Sequence, residues 1–269
     1  MFITLVVKMF KIYKVILSSL VVHMKQSLSR PTFRFIIILQ PILYSILFYF
    51  MFKNSDVSNI GEYIVIGTGI LNLWSSIIFS SAGDIERERY MGTLEIIYAT
   101  PSDFRIIFLG KVLGNLLLGI FSMVLSFIFV TLVFKIDITI ISPLAFFVSL
   151  FFTIISFTVI SLLMAFLFTL SRSSRMLMNS MEYPIYILCG IIFPISILPK
   201  YVQYISFVLS PTWGVKLLRQ SMTGITNYSD FYIDLSVLLI LTAIYLFLVI
   251  VLFRKIDYRT RMKGNLGAH

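Results

Sequence analysis

Apolar runs about twenty residues long recur along this chain, and they constrain its fold more than any other feature. A helix of that length crosses the roughly 30 Å hydrocarbon core of a bilayer. Six runs meet or approach it: 35–52, 63–82, 106–133, 143–169, 178–197 and 235–253. Inside a bilayer every backbone N–H and C=O must be satisfied within the protein, so each run reads as a helix. The chain is 59% hydrophobic, where an ordinary soluble domain is about 45–50% apolar. The fold expected is an all-α membrane protein with six transmembrane helices. It is a single transmembrane domain over 1–269: an N-terminal segment 1–31, a bundle 35–253 and a tail 254–269. The fifth run is the least regular, with Glu182 and Pro184 near its start and Pro194 and Pro199 near its end.

Basic residues set the orientation, because Lys and Arg are retained on the cytoplasmic side. An even number of spans puts both termini on one side. That side collects seventeen of the 22 Lys and Arg residues; the other holds Lys53, Lys135, Lys200, Lys216 and Arg219. Both termini are therefore expected in the cytoplasm, and the protein in the cell membrane. The formal charge of +10 follows from the same placement. The bases sit at span ends, where anionic lipid headgroups attract them, and no nucleic-acid partner is expected. The first apolar stretch lacks a small-residue cleavage pattern and is followed by more lysines, so no cleavable signal is expected.

Residues 1–31 form a basic amphipathic helix on this reading. Lys8, Lys11, Lys14, Ser18 and Lys25 fall within an arc of about 120°, with Leu5, Met9, Ile12, Ile16 and Leu20 opposite. Such a helix suits the cytoplasmic interface. It serves there as a surface anchor, or as a brace for a partner subunit as well.

Between the second and third runs lies an island of charge. Asp84, Glu86, Glu88, Glu95 and Asp103 alternate with Arg87, Arg89, Arg105 and Lys111. Gly92 separates a charged turn, Glu86 to Tyr90, from a second short helical segment, Thr93 to Ala99. Thr100-Pro101-Ser102-Asp103 reads as a capping box with Pro at the first helical position, starting the third span. Ser142-Pro143 starts the fourth in the same way. Lys111 is expected one turn inside the third span, snorkelling to the interface. The island is either a solvated face with local ion pairs, which contribute little, or a docking site.

A segment of about 37 residues, outside the membrane, joins the fifth and sixth spans. Tyr201, Tyr204, Ile205 and Val208 recur at helical spacing, and Ser210-Pro211-Thr212 starts another helix carrying Trp213, Leu217 and Leu218. Two short helices are expected here, re-entering the outer leaflet or capping the bundle.

Covalent chemistry has no visible seat. The histidines are His23 and His269, Cys189 is alone in an apolar run, and no HExxH, CxxC, GxSxG or GxxxxGK[ST] pattern occurs. The chain is not expected to be an enzyme, to bind a metal or to carry its own nucleotide loop. Span centres are nearly free of charge, which argues against an internal ion relay. Glu182 is the best candidate for one, or else a hydrogen-bonded interfacial residue; Asp234 is a boundary residue. Gln40, Tyr44 and Tyr49, Thr68, Asn72, Ser75 and Ser76, and Ser156 and Thr158 line the spans mildly. They serve packing or, for Gln40, Tyr44, Asn72, Ser76, Ser156 and Thr158, an amphipathic substrate path. Gly67, Gly69, Gly110 and Gly114 allow close helix approach.

Two motifs together resemble the membrane subunits of ATP-binding-cassette exporters of the second permease type. One is ERERYMGTLEIIYATP followed by Gly110-Lys111, similar to that family's cytoplasmic coupling-helix region. The other is IFPISILPKYVQYISFVLSPTWGVKLLRQSMTG, similar to its outward-facing hairpin. The resemblance runs from about 10 to 255. It implies a permease subunit that pairs with a second permease, the same or different, and docks two separate ATPase subunits. ATP and Mg would be bound by those partners and no cofactor by this chain. Glu86, Arg87, Glu88, Arg89, Gly92, Thr93, Leu94, Glu95, Thr100 and Pro101 would form the coupling region, and Pro194, Pro199, Pro211 and Trp213 would shape the outer hairpin. The implied activity is ATP-driven export of an amphipathic or hydrophobic cargo: a drug or antibiotic, a lipid-linked or polysaccharide molecule, or a peptide. The rival is an ion-coupled secondary transporter that works through Glu182 without an ATPase.

Overall fold

The computed structural model describes the backbone of residues 2–53, 60–136, 138–169 and 174–263. Side chains are described for 9–53, 61–76, 83–84, 87–88, 90–93, 96–97, 99–136, 138–164, 167, 180 and 182–252. The described residues are helical throughout, with no strand among them. In order the helices are α1 (Phe2–Ser29), α2 (Pro31–Phe52), α3 (Ile60–Tyr90), α4 (Thr93–Ala99), α5 (Phe104–Phe134), α6 (Pro143–Thr169) and α7 (Ser174–Leu188). A 3-10 turn (Ile195–Ile197) follows, then α8 (Lys200–Val208), α9 (Ser210–Thr223) and α10 (Tyr228–Lys263). Among the described residues, four stretches are long and apolar enough to cross a membrane: Pro31–Phe52, Phe104–Phe134, Pro143–Met164 and Tyr228–Leu252.

The centre of the bundle is α3. It packs against α2, α5, α6 and α7, and its Trp74 is buried edge-on against Phe157 of α6, with ring centroids 5.8 Å apart. In lipid, helices gain little from apolar burial itself, so close packing and hydrogen bonds between helices hold the bundle. Ser122 of α5 donates to the Ile37 carbonyl of α2 at 3.0 Å. Ser76 of α3 donates to the Asn115 carbonyl of α5 at 3.0 Å, and Ser156 of α6 to Ser210 Oγ of α9 at 2.7 Å.

Helix α1 lies along α5, and it has three faces rather than two. The apolar row that includes Ile16 and Leu20 turns toward α5 with Ser19, His23 and Ser27. Ser19 donates to the Ile107 carbonyl at 2.6 Å. A different row, Phe10, Tyr13, Leu17, Val21 and Leu28, is exposed, about 90° round from it on a helical wheel. This second row is the one available to lipid. Gly110 permits the crossing: a Cβ there would stand 2.6 Å from the Ile16 carbonyl oxygen.

The fifth run does not form one continuous helix. α7 ends at Leu188, and Gly190 turns the chain at φ +69°. Pro194 and Pro199 then break it again ahead of the 3-10 turn and α8. The buried loop lies against α9, where Arg219 donates to the Ile191 carbonyl at 3.0 Å. The two outer helices differ in burial. α9, begun by Ser210 and Pro211, is largely buried, whereas Tyr201, Tyr204, Ile205 and Val208 of α8 are exposed. Thr212 and Trp213 clasp the corner between them by donating to the Ser206 and Phe207 carbonyls. The segment 254–263, read as tail, continues α10 as helix.

Substituting Gly110→Ala is expected to force α1 off α5 and destabilise the fold by about 1–3 kcal/mol. A thermal melt of the detergent-solubilised protein checks this, with Val21→Ala on the exposed row of α1 as the control outside a packed contact.

Candidate functional site

At 1.5 Å per residue the 31-residue α3 is about 46 Å long, some 15 Å more than the hydrocarbon core. Glu86 to Tyr90 is the end of this helix rather than a separate turn. Gly92 then reverses the chain at φ +70°, a conformation that costs a residue with a Cβ about 1–2 kcal/mol. α4 follows at once. The capping box placed at Thr100 falls elsewhere. Thr100 Oγ1 donates back to the Ile97 carbonyl at 2.7 Å, closing α4. Asp103 is the N-cap of α5, accepting from Arg105 N–H at 3.0 Å. Pro101 lies in the link between the two helices. Ser and Thr serve either helix end, but an N-cap carboxylate aligned with free N–H groups is the stronger choice.

Inside this corner lies a buried ion pair. Lys111 Nζ stands 2.5 Å from Glu88 Oε1, and Thr93 donates to the other oxygen of the same carboxylate. Lys111 thus does not snorkel; it ties the second turn of α5 to the end of α3, and Thr93 adds the start of α4. Burial alone would raise the Glu88 carboxyl, but the Lys111 and Thr93 hydrogen bonds outweigh it and hold the group below its ordinary range. One turn back, buried Asp84 gathers three bases: His23 Nδ1 at 3.4 Å, Arg87 at 3.4 Å and Arg30 at 3.8 Å. Asn115 Nδ2 donates to the Lys111 carbonyl, which leaves Oδ1 to accept from His23 Nε2 at 2.8 Å. α1, α3, α4 and α5 are locked together by this network.

Among the described residues, three large apolar side chains are exposed beyond it. Tyr90, Met91 and Ile96 are 91%, 64% and 65% exposed, and they form a knuckle around the Gly92 turn. Of the coupling residues expected from sequence, Arg87, Glu88 and Thr93 serve internal contacts, and Gly92 makes the turn. The side chains of Glu86, Arg89, Leu94 and Glu95 lie outside the described residues. Sequence reasoning missed His23, Asp84 and the knuckle. The signal for His23 was present: Ser19, His23 and Ser27 form a polar i, i+4 stripe on an apolar side of α1.

The residues expected to line a path stand on α2, α3 and α6. Ser76 and Ser156 are spent on helix contacts, and Thr158 bonds to the Ile154 carbonyl of its own helix. Gln40 donates to Tyr44 at 3.1 Å, and Asn72 is buried. Glu182 is also buried; it accepts from Ser75 at 2.8 Å and from Tyr186 at 2.5 Å. Arg172 and His269 lie outside the described residues.

A cavity of about 780 Å³ opens between the start of α3 and helices α8 and α9. Pro194 and Trp213 line it, with Glu62, Lys216 and Arg219. Burial pushes the Glu62 carboxyl, which precedes the apolar span of α3, up to about 7, against the pull of Arg219. Lys216 is paired with Asp234 at 2.7 Å and stands 5.3 Å from the Trp213 ring centre.

Helices long and apolar enough to cross a bilayer define a membrane protein. Residues 15–223 match the ABC-2 type transporter family, and the chain belongs to it. It is accordingly a permease component of an ABC transporter and not its ATPase. No curated protein is similar enough to match it.

Two titrations of opposite sign follow. Glu62 binds its proton more tightly folded than unfolded, so its stabilising share is full below pH 4.5 and is lost as pH rises through about 7. Glu88 behaves the other way: its share is present above the ordinary carboxylate range and is lost as pH falls through its depressed value. Melting curves between pH 4 and 8 should show Glu62→Gln flattening the loss on the alkaline side. Glu88→Gln should instead cost on the order of 3 kcal/mol near neutrality by leaving Lys111 buried and unpaired, and Glu88→Gln with Lys111→Met should recover most of it.

Proposed function

We propose that this chain is the transmembrane subunit of an ATP-driven exporter, and that the α3–α4 knuckle is the dock for a separate ATPase subunit. The observation that supports this reading is the exposed Tyr90–Met91–Ile96 surface, set on a corner that Glu88, Lys111 and Asp84 make rigid. A solvated loop has no use for three large apolar side chains at its tip. A groove on a partner subunit does, because buried aromatic and aliphatic anchors dominate such interfaces.

The rest of the arrangement follows from family membership and from the physics of the spans. α2, α3, α5, α6, α7 and α10 are the six spans, with both termini in the cytoplasm. α7 is only about 22 Å long; the loop after it is shielded by α9, as irregular backbone at membrane depth requires. Two permeases, identical or not, pair around a path, each above one ATPase. ATP and Mg bind in the ATPase pair. Closure of that pair presses on both knuckles, and the corner transmits the load to α3 and α5. Work is done only to the extent that inward and outward states differ in their contacts with the ATPase. The cargo is amphipathic or hydrophobic, in keeping with aromatic-rich spans whose polar groups are mostly committed to one another.

Affinity purification from the native membrane is expected to recover a stoichiometric subunit bearing a GxxxxGK[ST] loop. Tyr90→Glu with Ile96→Glu should reduce its recovery at least tenfold while the permease still melts as the parent does. Gly92→Pro, which cannot adopt φ +70°, should have the same effect. Full recovery with both variants, or a chain that moves substrate alone under an ion gradient, would sink the reading.

A further inference from the structure

The outer cavity holds an acid and a base that the fold leaves unmatched. Glu62 at the start of α3 is only 7% exposed, yet its Oε2 has no hydrogen-bond partner; neither has Nε of Arg219, nor Oε1 of Gln220. Other polar groups nearby are committed. Lys216 and Gln220 Nε2 both hold Asp234, and Gln203 donates to the Leu198 carbonyl at 2.7 Å. The Arg219 guanidinium is fixed on one side by the Ile191 carbonyl and on its face by the Tyr63 ring, 4.4 Å away. Among the described residues, no ion-pair contact joins Glu62 to Arg219. A buried carboxylate and a buried guanidinium, each short of a partner, are costly to leave so. Here they face one open space with aromatic shoulders, Phe207 and Trp213.

We propose that this cavity binds a zwitterion: a group that brings an ammonium to Glu62 and Gln220 Oε1 and an oxyanion to Arg219. The phosphoethanolamine type of headgroup has this chemistry, whether it arrives on a lipid or lipid-like cargo or as a free soluble molecule. An anion alone would leave Glu62 unmatched and repelled, and an amine alone would leave Arg219 so. The cavity's volume of about 780 Å³ lies within the usual range for small-molecule sites. The terminal torsion of a glutamate is soft, so Glu62 turns to a ligand at little cost. The site's outward placement rests on the exporter reading. Binding needs no ATP, so failure to recover an ATPase and failure to bind are separate results.

Intrinsic fluorescence supplies the test, since the chain has two tryptophans: Trp213 lines the cavity and Trp74 is buried in the core. The full-length protein in detergent is titrated with dihexanoyl phosphatidylethanolamine, with glycerophosphoethanolamine, and with dihexanoyl phosphatidylglycerol as the purely anionic control. Saturable change with either ethanolamine compound is expected, at least tenfold tighter than with the glycerol control. Tighter binding of the acylated probe assigns the site to a lipid or lipid-like headgroup; equal binding assigns it to the free zwitterion. Trp213→Phe should remove the signal. Glu62→Gln should weaken binding at least tenfold, and so should Ser196→Phe, which fills the cavity from an exposed position on its rim and spares the fold. No saturable change, equal affinity for the glycerol control, or undiminished binding in both Glu62→Gln and Ser196→Phe would overturn the proposal.

Discussion

A lysine one turn and a half inside an apolar helix must find a negative partner or reach water. Lys111 finds Glu88, and much of this end of the bundle depends on that choice. The pair fixes the end of α3 against α5. Thr93, bonded to the same carboxylate, fixes the direction in which α4 leaves. Asp84 with His23, Arg87 and Arg30 extends the tie to α1 and to the α1–α2 joint. An ion pair of this kind adds little net stability beside an apolar replacement. Its value lies in geometry: it admits one arrangement of four helices, and the apolar knuckle inherits that rigidity.

The outer half is organised by a different means. There α9 is held by small residues and short hydrogen bonds. Gly214 sits where a Cβ would stand 2.7 Å from Thr153, Ser210 meets Ser156, and the N–H groups of Ile141 and Ser142 bond to the carbonyls of Met222 and Ser221. This packing leaves the charged side of α9 facing a cavity instead of another helix. Opposite ends of one bundle are thus finished differently, with Glu88, Lys111 and Asp84 paired at one end and Glu62 left without a hydrogen-bond partner at Oε2 at the other.

The apolar helices were legible because a period-free apolar run of twenty residues has one solution in a bilayer. The short helices α8 and α9 were legible from the helical spacing of Tyr201, Tyr204, Ile205 and Val208 and from Ser210-Pro211, which starts α9 where expected. Three features were not. The helix start at Asp103 was assigned to Thr100, because a Thr followed by Pro can close one helix as well as open the next. The lipid-facing row of α1 was taken to be the row with Ile16 and Leu20; a helical wheel shows which residues share a face, but not that α5 occupies it. The inward aim of Glu88 was hidden because Lys111 is 23 residues away in sequence, and neither charge reveals its partner without the turn at Gly92. The interruption after Leu188 was foreshadowed by Pro194 and Pro199, while the turn itself is made by Gly190.

Glu62 and the Tyr90 knuckle are the two ends of one unbroken helix. A rod about 46 Å long, pivoting at its middle, carries each end through about 4 Å for a 10° tilt. α3 crosses the bundle next to Trp74 near that midpoint, where the core is tightest. A force applied at the Tyr90 end is therefore geared to the cavity wall at Glu62 by simple leverage. Glu62 and Arg219 stand on different helices, and only Glu62 rides the rod, so their separation is the quantity such a lever would change most directly.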